Sequence, residues 1–115
     1  MALVVVDTNV LISAATNEGG VPNRVLERVL RHHVLAQSDE TFGELRQTLL
    51  AAKFELAVPR QTRMRFLERI RSVSMFHSVE AGLPITRDPD DDIFLHLALA
   101  AHANIIVSGD RDLRS

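Results

Sequence analysis

The feature that most constrains the fold is an unbroken apolar run at the start of the chain, which is interrupted by an aspartate. Residues 3–6 are Leu-Val-Val-Val, and Asp7 follows them directly. A short run rich in β-branched residues is typical of a strand that is buried on both faces in a parallel sheet. A carboxylate at the end of such a strand loses hydration unless a cation, a donor or water meets it. Because ligands of open α/β sheets bind beyond the carboxyl ends of the strands, Asp7 is a candidate site residue.

The composition predicts one domain with an aliphatic core over residues 1–115. Hydrophobic residues make up 46% of the chain, and Trp and Tyr are absent. The chain also has no Cys, which excludes disulfides, thiolate zinc sites and Cys nucleophiles and fits a reducing compartment. The first residues lack the basic segment of a signal peptide, and no apolar run approaches the roughly 20 residues of a membrane span. We therefore expect a cytoplasmic protein that is not embedded in a membrane.

Predicted helices and strands alternate along the chain, which favours right-handed βαβ units around a parallel sheet. In the helix predicted to begin at Pro59, Phe66, Ile70 and Val73 are expected to face inward, while Arg65 and Arg69 share another stripe. The last predicted strand is expected to be buried like the first. The predicted strands are 3–6, 34–36, 74–79 and 104–108, and the predicted helices are 8–16, 22–32, 38–52, 59–73 and 93–101.

The charges are unevenly distributed although the formal net charge is only −2. Residues 60–71 carry five Arg and one Glu, a sum of +4, whereas residues 88–112 carry six Asp and one Arg, a sum of −5. The basic stretch is either a solvated helix face or a contact for nucleic acid. Arginine suits bidentate phosphate contacts, although genomic base composition would produce the same preference for Arg over Lys.

Two acids, Asp7 and Asp110, each end a predicted strand. Taken alone, Asp7 is equally well interpreted as the N-cap of the next helix, and Asp110 as a turn residue. If the two strands are neighbours, however, the carboxylates converge at one edge of the sheet, and their repulsion requires a cation.

Further acids precede the helix at 93–101, where four of the residues 88–92 are Asp. Capping a helix needs only one or two acids. An EF-hand loop that starts at Asp88 is excluded, because Ile93 stands where Gly is needed and Leu99 where Glu is needed. Glu44 borders the apolar stripe of the helix at 38–52 and is by default a surface residue.

Hard oxygen ligands in a chain without Cys favour Mg²⁺ or Mn²⁺. Such ions activate water and neutralise charge during in-line displacement at a phosphate. The acids therefore point to phosphodiester hydrolysis.

The sequence resembles the PIN-domain family of nucleases, and in particular its branch of VapC-type toxins of bacterial toxin–antitoxin systems. Four segments carry the resemblance in order and spacing: VVVDTNVLISA, SDETFGEL with Glu44, DPDDDIFLHLALA and IIVSGDRDL. The resemblance implies a three-layer α/β/α sandwich with a central parallel sheet. It also implies a metal-binding quartet of acids, which consists of Asp7, Glu44, Asp91 and Asp110. Asp112 would be a fifth acid, and Asn9 and Ser108 would be supporting polar residues.

The resemblance further implies RNA cleavage that depends on Mg²⁺ or Mn²⁺, a homodimer and inhibition by a cognate antitoxin. Asp91 is chosen by its spacing from Pro89, and Asp90 and Asp92 remain alternatives. Family members continue with another strand and helix, whereas this sequence ends at Ser115. We therefore expect a fold without these last elements, in which the strand at 104–108 is an edge.

Two other functions stay open. A haloacid-dehalogenase-like phosphatase has a similar opening motif, but Asn9 stands where its second Asp is expected, and Lys53 is too early for its Lys. A catalytically idle domain that binds RNA or protein is the other alternative. If the chain is the ribonuclease, Arg65 and Arg69 are the predicted contacts to the RNA backbone.

Overall fold

Four parallel strands form the sheet of the computed structural model, which describes residues 2–79 and 89–108, with the backbone alone at 89–92. The order of the strands across the sheet is β3-β2-β1-β4, so β1 and β4 are the neighbours that the sequence interpretation required. The strands are β1 (Leu3–Val6), β2 (Val34–Gln37), β3 (Ser74–Phe76) and β4 (Ile105–Val107).

Helices cover both faces of the sheet. Val4 and Val6 of β1 pack into a core with α1 to α4, whereas Val5 packs against Phe94 and Leu97 of α5. This alternation follows from the period of two in a strand, and it explains why β1 is apolar throughout. The predicted α/β/α sandwich with a parallel sheet is thereby confirmed. The helices are α1 (Thr8–Thr16), α2 (Val21–His32), α3 (Asp39–Leu49), α4 (Arg60–Val73) and α5 (Pro89–Ala101), with a 3₁₀ turn at Ala52–Phe54.

The start of α3 is fixed by a capping box next to the carboxyl end of β2. The Ser38 hydroxyl accepts a hydrogen bond from the Thr41 backbone N–H at 3.1 Å, and Thr41 Oγ1 accepts one from the Ser38 N–H at 2.9 Å. Gln37 is buried, and its Oε1 accepts from Thr41 Oγ1 at 2.5 Å. The reciprocal bonds satisfy backbone donors that a helix leaves unpaired.

The inward face of α4 differs from the prediction, because Val73 is 42% exposed while Arg63 is fully buried beside Leu67 and Ile70. Arg63 Nε donates to the carbonyl of Val58 at 3.1 Å, and Nη1 donates to that of Leu49 at 3.0 Å. Its Nη2 lies 3.0 Å from Glu55 Oε1 as an ion pair, without the alignment of a hydrogen bond.

Buried Arg63 also explains why α3 is shorter than predicted. This helix ends at Leu49 instead of residue 52, and Arg63 takes up the Leu49 carbonyl that a longer helix would have bonded internally.

The expectation that residues 104–108 form a second buried strand is wrong. Ile105 is 42% exposed and Ile106 is 36% exposed, because in the described part of the chain β4 has β1 on one side and no strand on the other. The alternative expectation of an edge strand is confirmed for these residues. Among the helices of residues 2–79 and 89–108, none has the length and apolar character to cross a membrane.

Candidate active site at the carboxyl edge of the sheet

Asp7 lies at the carboxyl end of β1 and is only 6% exposed. As the N-cap of α1, its Oδ1 accepts a hydrogen bond from the Val10 backbone N–H at 2.9 Å. Its Oδ2 accepts a bond from Ser108 Oγ at 2.5 Å, across the edge that β1 shares with β4. Capping therefore explains only one of the two carboxylate oxygens. Each oxygen keeps a further lone pair for another partner.

Glu44 is brought to the same end of the sheet by the residue that follows Asp7. Thr8 is buried at the first position of α1, and its Oγ1 donates to Glu44 Oε2 at 2.8 Å. Glu44 is half-buried on α3, which packs against α1. The structure thus gathers Asp7, Glu44 and Ser108 around the start of α1.

Sequence reasoning missed Thr8 as a site residue. Its only signal was a hydroxyl directly after a buried aspartate, and that signal does not reveal a partner on another helix.

None of the described contacts joins the remaining predicted site residues to Asp7 or Glu44. Asn9 is exposed on the first turn of α1, and its side chain makes no hydrogen bond within the described residues. Asp91 belongs to the first turn of α5, but its side chain, like those of Asp90 and Asp92, lies outside the description. Asp110 and Asp112 also lie outside the described residues.

Asp7 and Glu44 offer oxygen donors only, which is the chemistry that Mg²⁺ and Mn²⁺ prefer. Within the part of the chain that the structure describes, no three His, Asp or Glu side chains come together to hold a metal ion. The two carboxylates therefore fit a hard divalent cation as part of a ligand set, and the further acids predicted to complete it lie beyond the described side chains.

The two arginines that were predicted to contact RNA have different surroundings on α4. Arg69 holds Glu27 of α2 in a bidentate ion pair, with Nη1–Oε1 and Nη2–Oε2 distances of 2.6 and 3.1 Å. The hydrogen bond from Arg69 lowers the pKa of Glu27, and the same bond raises the pKa of Arg69. Arg65 is exposed and makes no ion pair to any described residue. The basic stretch at 60–71 is therefore not a uniform charged face.

Comparison with known proteins identifies the fold as a nuclease fold. A family model described as "PIN domain" matches residues 3–112. The chain belongs to the PIN-domain family. Proteins of this family are generally nucleases, and PIN-domain nucleases generally use divalent metals. Asp7 and Glu44 are thus two described carboxylates at the carboxyl edge of a PIN-domain sheet.

Two further proteins are similar to this PIN domain. The uncharacterized protein MJ1680 of Methanocaldococcus jannaschii is 32% identical over 114 residues, which cover 97% of this chain and 73% of that protein. A chain in the crystal structure of VapBC2 from Rickettsia felis, bound to a DNA fragment from their promoter, has the same fold with a TM-score of 0.65 and 16% identity. That match covers 97% of this chain and 91% of the Rickettsia chain.

Proposed function

We propose that this PIN domain is a metal-dependent endoribonuclease that hydrolyses phosphodiester bonds. The observation that carries the proposal is the pairing of Asp7 with Ser108 and of Glu44 with Thr8, which holds two carboxylates at one end of the sheet. The members of this fold family are generally nucleases that use divalent metals, and carboxylates are suitable ligands for such metals. The same arrangement gives no support to a phosphatase in particular.

In this proposal Asp7, Glu44, Asp91 and Asp110 hold Mg²⁺ or Mn²⁺, with Asp112 as a fifth acid. A bound divalent ion would lower the pKa of a water molecule and neutralise charge at the scissile phosphate. Ser108 keeps the Asp7 carboxylate in one orientation, and Thr8 does the same for Glu44. Asn9 is proposed as a supporting polar residue from the first turn of α1.

The proposal includes a place in a toxin–antitoxin system. The Rickettsia neighbour is part of VapBC2, and its fold supports a cognate antitoxin as the partner of this chain. We further propose a homodimer in the cytoplasm. Arg65 and Arg69 are proposed contacts to RNA, and of the two, Arg65 has no ion pair to give up within the described residues.

Cleavage of a mixed RNA pool in Mg²⁺ or Mn²⁺ tests this function. We expect cleavage by the wild type, and loss of at least about 100-fold in EDTA, in Asp7→Asn and in Glu44→Gln. Glu68→Gln is the matched control, because Glu68 is an exposed acid on α4 and its substitution removes the same charge. All variants are first shown to fold by circular dichroism.

Two results would contradict the proposal. Full cleavage by folded Asp7→Asn and folded Glu44→Gln would remove these two acids from the mechanism. Binding of RNA by the folded wild type without metal-dependent cleavage would leave a catalytically idle binding domain.

A further inference from the structure

One face of α2 carries a row of exposed arginines that the proposed catalytic site does not use. Arg24, Arg28 and Arg31 follow one another at intervals of four and three residues, which places them on one side of the helix. All three are exposed, and together with Glu27 and His32 they line a surface depression. We call Arg24, Arg28 and Arg31 the α2 arginine stripe.

Helix electrostatics do not account for the whole stripe. Arg31 and His32 lie in the last turn, where cations interact favourably with the helix dipole. Arg24 lies near the other end, and no acid stands in the first turn to offset it. Like charges three or four residues apart on a helix also repel each other. The helix therefore tolerates a charge pattern that does not stabilise it.

Glu27 balances part of the charge of the stripe at a distance, since Arg31 contributes to its lowered pKa, but its ion pair is with α4. Glu27 is the only acid of α2, and it stands four residues before Arg31, where an intrahelical pair is favourable. Instead, both of its carboxylate oxygens bond to Arg69. Within the described residues, none of the three stripe arginines makes an ion pair.

The lining of the depression favours phosphate over protein as the ligand. It consists of three Arg, one Glu and one His, with no apolar side chain. Protein interfaces are commonly anchored by Arg together with buried aromatic side chains, and this depression has no aromatic or apolar lining residue. Guanidinium groups bind phosphates through paired hydrogen bonds. The stripe extends roughly 10 Å along the helix axis, at a rise of about 1.5 Å per residue, so it can follow consecutive phosphates of one strand.

One residue of the stripe, Arg28, also lies beside the edge strand. Arg28 and His32 border a neighbouring groove whose opposite wall includes Ile105 and Val107 of β4. Val107 directly precedes Ser108, the residue that bonds to Asp7. An extended ligand in this groove would therefore run beside the strand that leads to the candidate active site.

We propose that the α2 arginine stripe binds the sugar–phosphate backbone of the RNA substrate, an inference that rests on the proposed ribonuclease function. On this basis Arg69, named above as a proposed RNA contact, would instead act indirectly, because its ion pair holds Glu27 away from a direct bond to the stripe arginines. The interaction is electrostatic and independent of base sequence, so it fixes where the strand lies and leaves base selection to other contacts.

The test measures binding separately from cleavage. In an Asp7→Asn background, which prevents cutting, the affinity for a fluorescent single-stranded RNA is measured by anisotropy at several salt concentrations. Arg24→Gln, Arg28→Gln and Arg31→Gln are combined in one variant. The matched control combines Arg46→Gln, Arg60→Gln and Arg71→Gln, which also removes three exposed arginines.

We expect the stripe variant to raise Kd at least about tenfold. The slope of log Kd against log salt should fall by about 2, since each lost contact to a single strand contributes about 0.7. The control should change Kd less than about threefold. Equal weakening in both variants, unchanged affinity in the stripe variant, or no RNA binding at all would overturn the proposal.

The outcomes separate this inference from the proposed function. Stripe-dependent binding without cleavage by the wild type would retain the RNA surface and reject the nuclease. Cleavage by the wild type, together with unchanged RNA affinity in the stripe variant, would retain the nuclease and reject the stripe as its RNA surface. If a polyglutamate peptide loses affinity for the stripe variant while RNA does not, the stripe is a surface for an acidic protein and the proposal fails.

Discussion

At the residue scale, Thr8 is the connection between the two carboxylates of the site. It is the chain neighbour of Asp7, and its hydroxyl donates to Glu44 Oε2 on another helix. Without that donor the Glu44 carboxylate keeps its charge but loses one fixed orientation. A positioning role of this kind predicts an effect on catalysis that exceeds the effect on folding.

The substitution Thr8→Val tests that role, because valine has nearly the shape of threonine but lacks the hydroxyl. We expect RNA cleavage to fall about tenfold, equivalent to about 1.4 kcal/mol of barrier, with a loss of about 1 kcal/mol in the free energy of unfolding. Cleavage rates and urea denaturation measure the two effects. Thr16→Val is the control, since the Thr16 hydroxyl bonds only to the Ile12 carbonyl of its own helix. Equal activity in both variants would reject a positioning role for Thr8.

Arg63 is the residue on which the loop between α3 and α4 depends. Replacing it with Met removes two hydrogen bonds and leaves the carbonyls of Leu49 and Val58 without a donor in the interior. We expect Arg63→Met to lower the free energy of unfolding by about 2–4 kcal/mol, the range for breaking a buried polar network. Urea denaturation measures the change. Arg65→Met, an exposed change on the same helix, should cost less than about 0.5 kcal/mol, and a similar loss in both would contradict this account.

The same two residues mark the limits of prediction from sequence. A buried strand end and a family motif pointed to Asp7 and Glu44, which lie near the same end of the sheet, and their role as site residues stays a prediction. Thr8 was missed because its partner is 36 positions away in the chain. Arg63 was counted as part of a basic surface because arginine is rarely fully buried, and only the tertiary structure supplies its three partners.

At the scale of elements, the Glu27–Arg69 ion pair joins α2 to α4 across the helical layer. Because the hydrogen bond from Arg69 holds the pKa of Glu27 below its usual value, the pair stabilises the folded state above the pKa of Glu27 in the unfolded chain. That contribution is lost as the pH falls through the lower pKa of the folded state. Both side chains are nearly half exposed, so solvent limits the contribution to about 0.2–1 kcal/mol.

Comparison of the wild type with Glu27→Gln measures this contribution. We expect the difference in free energy of unfolding between the two proteins to be constant near neutral pH and to shrink as the pH drops below about 4.5. Chemical denaturation from pH 7 to pH 3 follows the difference. A difference that grows on acidification would contradict the direction of the pKa shift.

The bounds of α1 were easier to predict than the environment of β4, whereas α5 begins at Pro89 and not at the predicted residue 93. The bounds of α1 agree with the prediction, because Asp7 caps this helix through a hydrogen bond from Val10, which is only three positions away in the chain. For β4, the apolar pattern of Ile105-Ile106-Val107 indicated a strand but not its place in the sheet. Strand order depends on packing across the whole chain, so an edge strand and a central strand of the same composition look alike in sequence.

At the scale of the whole molecule, β4 presents partly exposed Ile105 and Ile106 at one edge of the described sheet. A strand without a neighbour offers unpaired backbone groups to another chain. Within the described residues β4 has that character, and we expect self-association of the protein along it.

A lysine on this edge should weaken the association. We expect Ile105→Lys to shift sedimentation toward the monomer at concentrations where the wild type is associated. Leu99→Lys is the control, because Leu99 is 67% exposed on α5 and is not part of the sheet. Association that survives Ile105→Lys and is lost in Leu99→Lys would place the contact on the helical face.

The bond between Asp7 and Ser108 spans 101 positions of the chain, and this has a consequence for timing during synthesis. The chain leaves the ribosome from its N-terminus, so α1 to α4 can collapse on one face of the sheet before β4 exists. Closing so long a loop is a late and slow step compared with forming local helices. Asp7 can therefore cap α1 early, but its bond to Ser108 forms only when almost the whole described chain has been made. A ribosome-bound fragment that stops before residue 105 would possess the helical layer without β4 and without the Asp7–Ser108 bond.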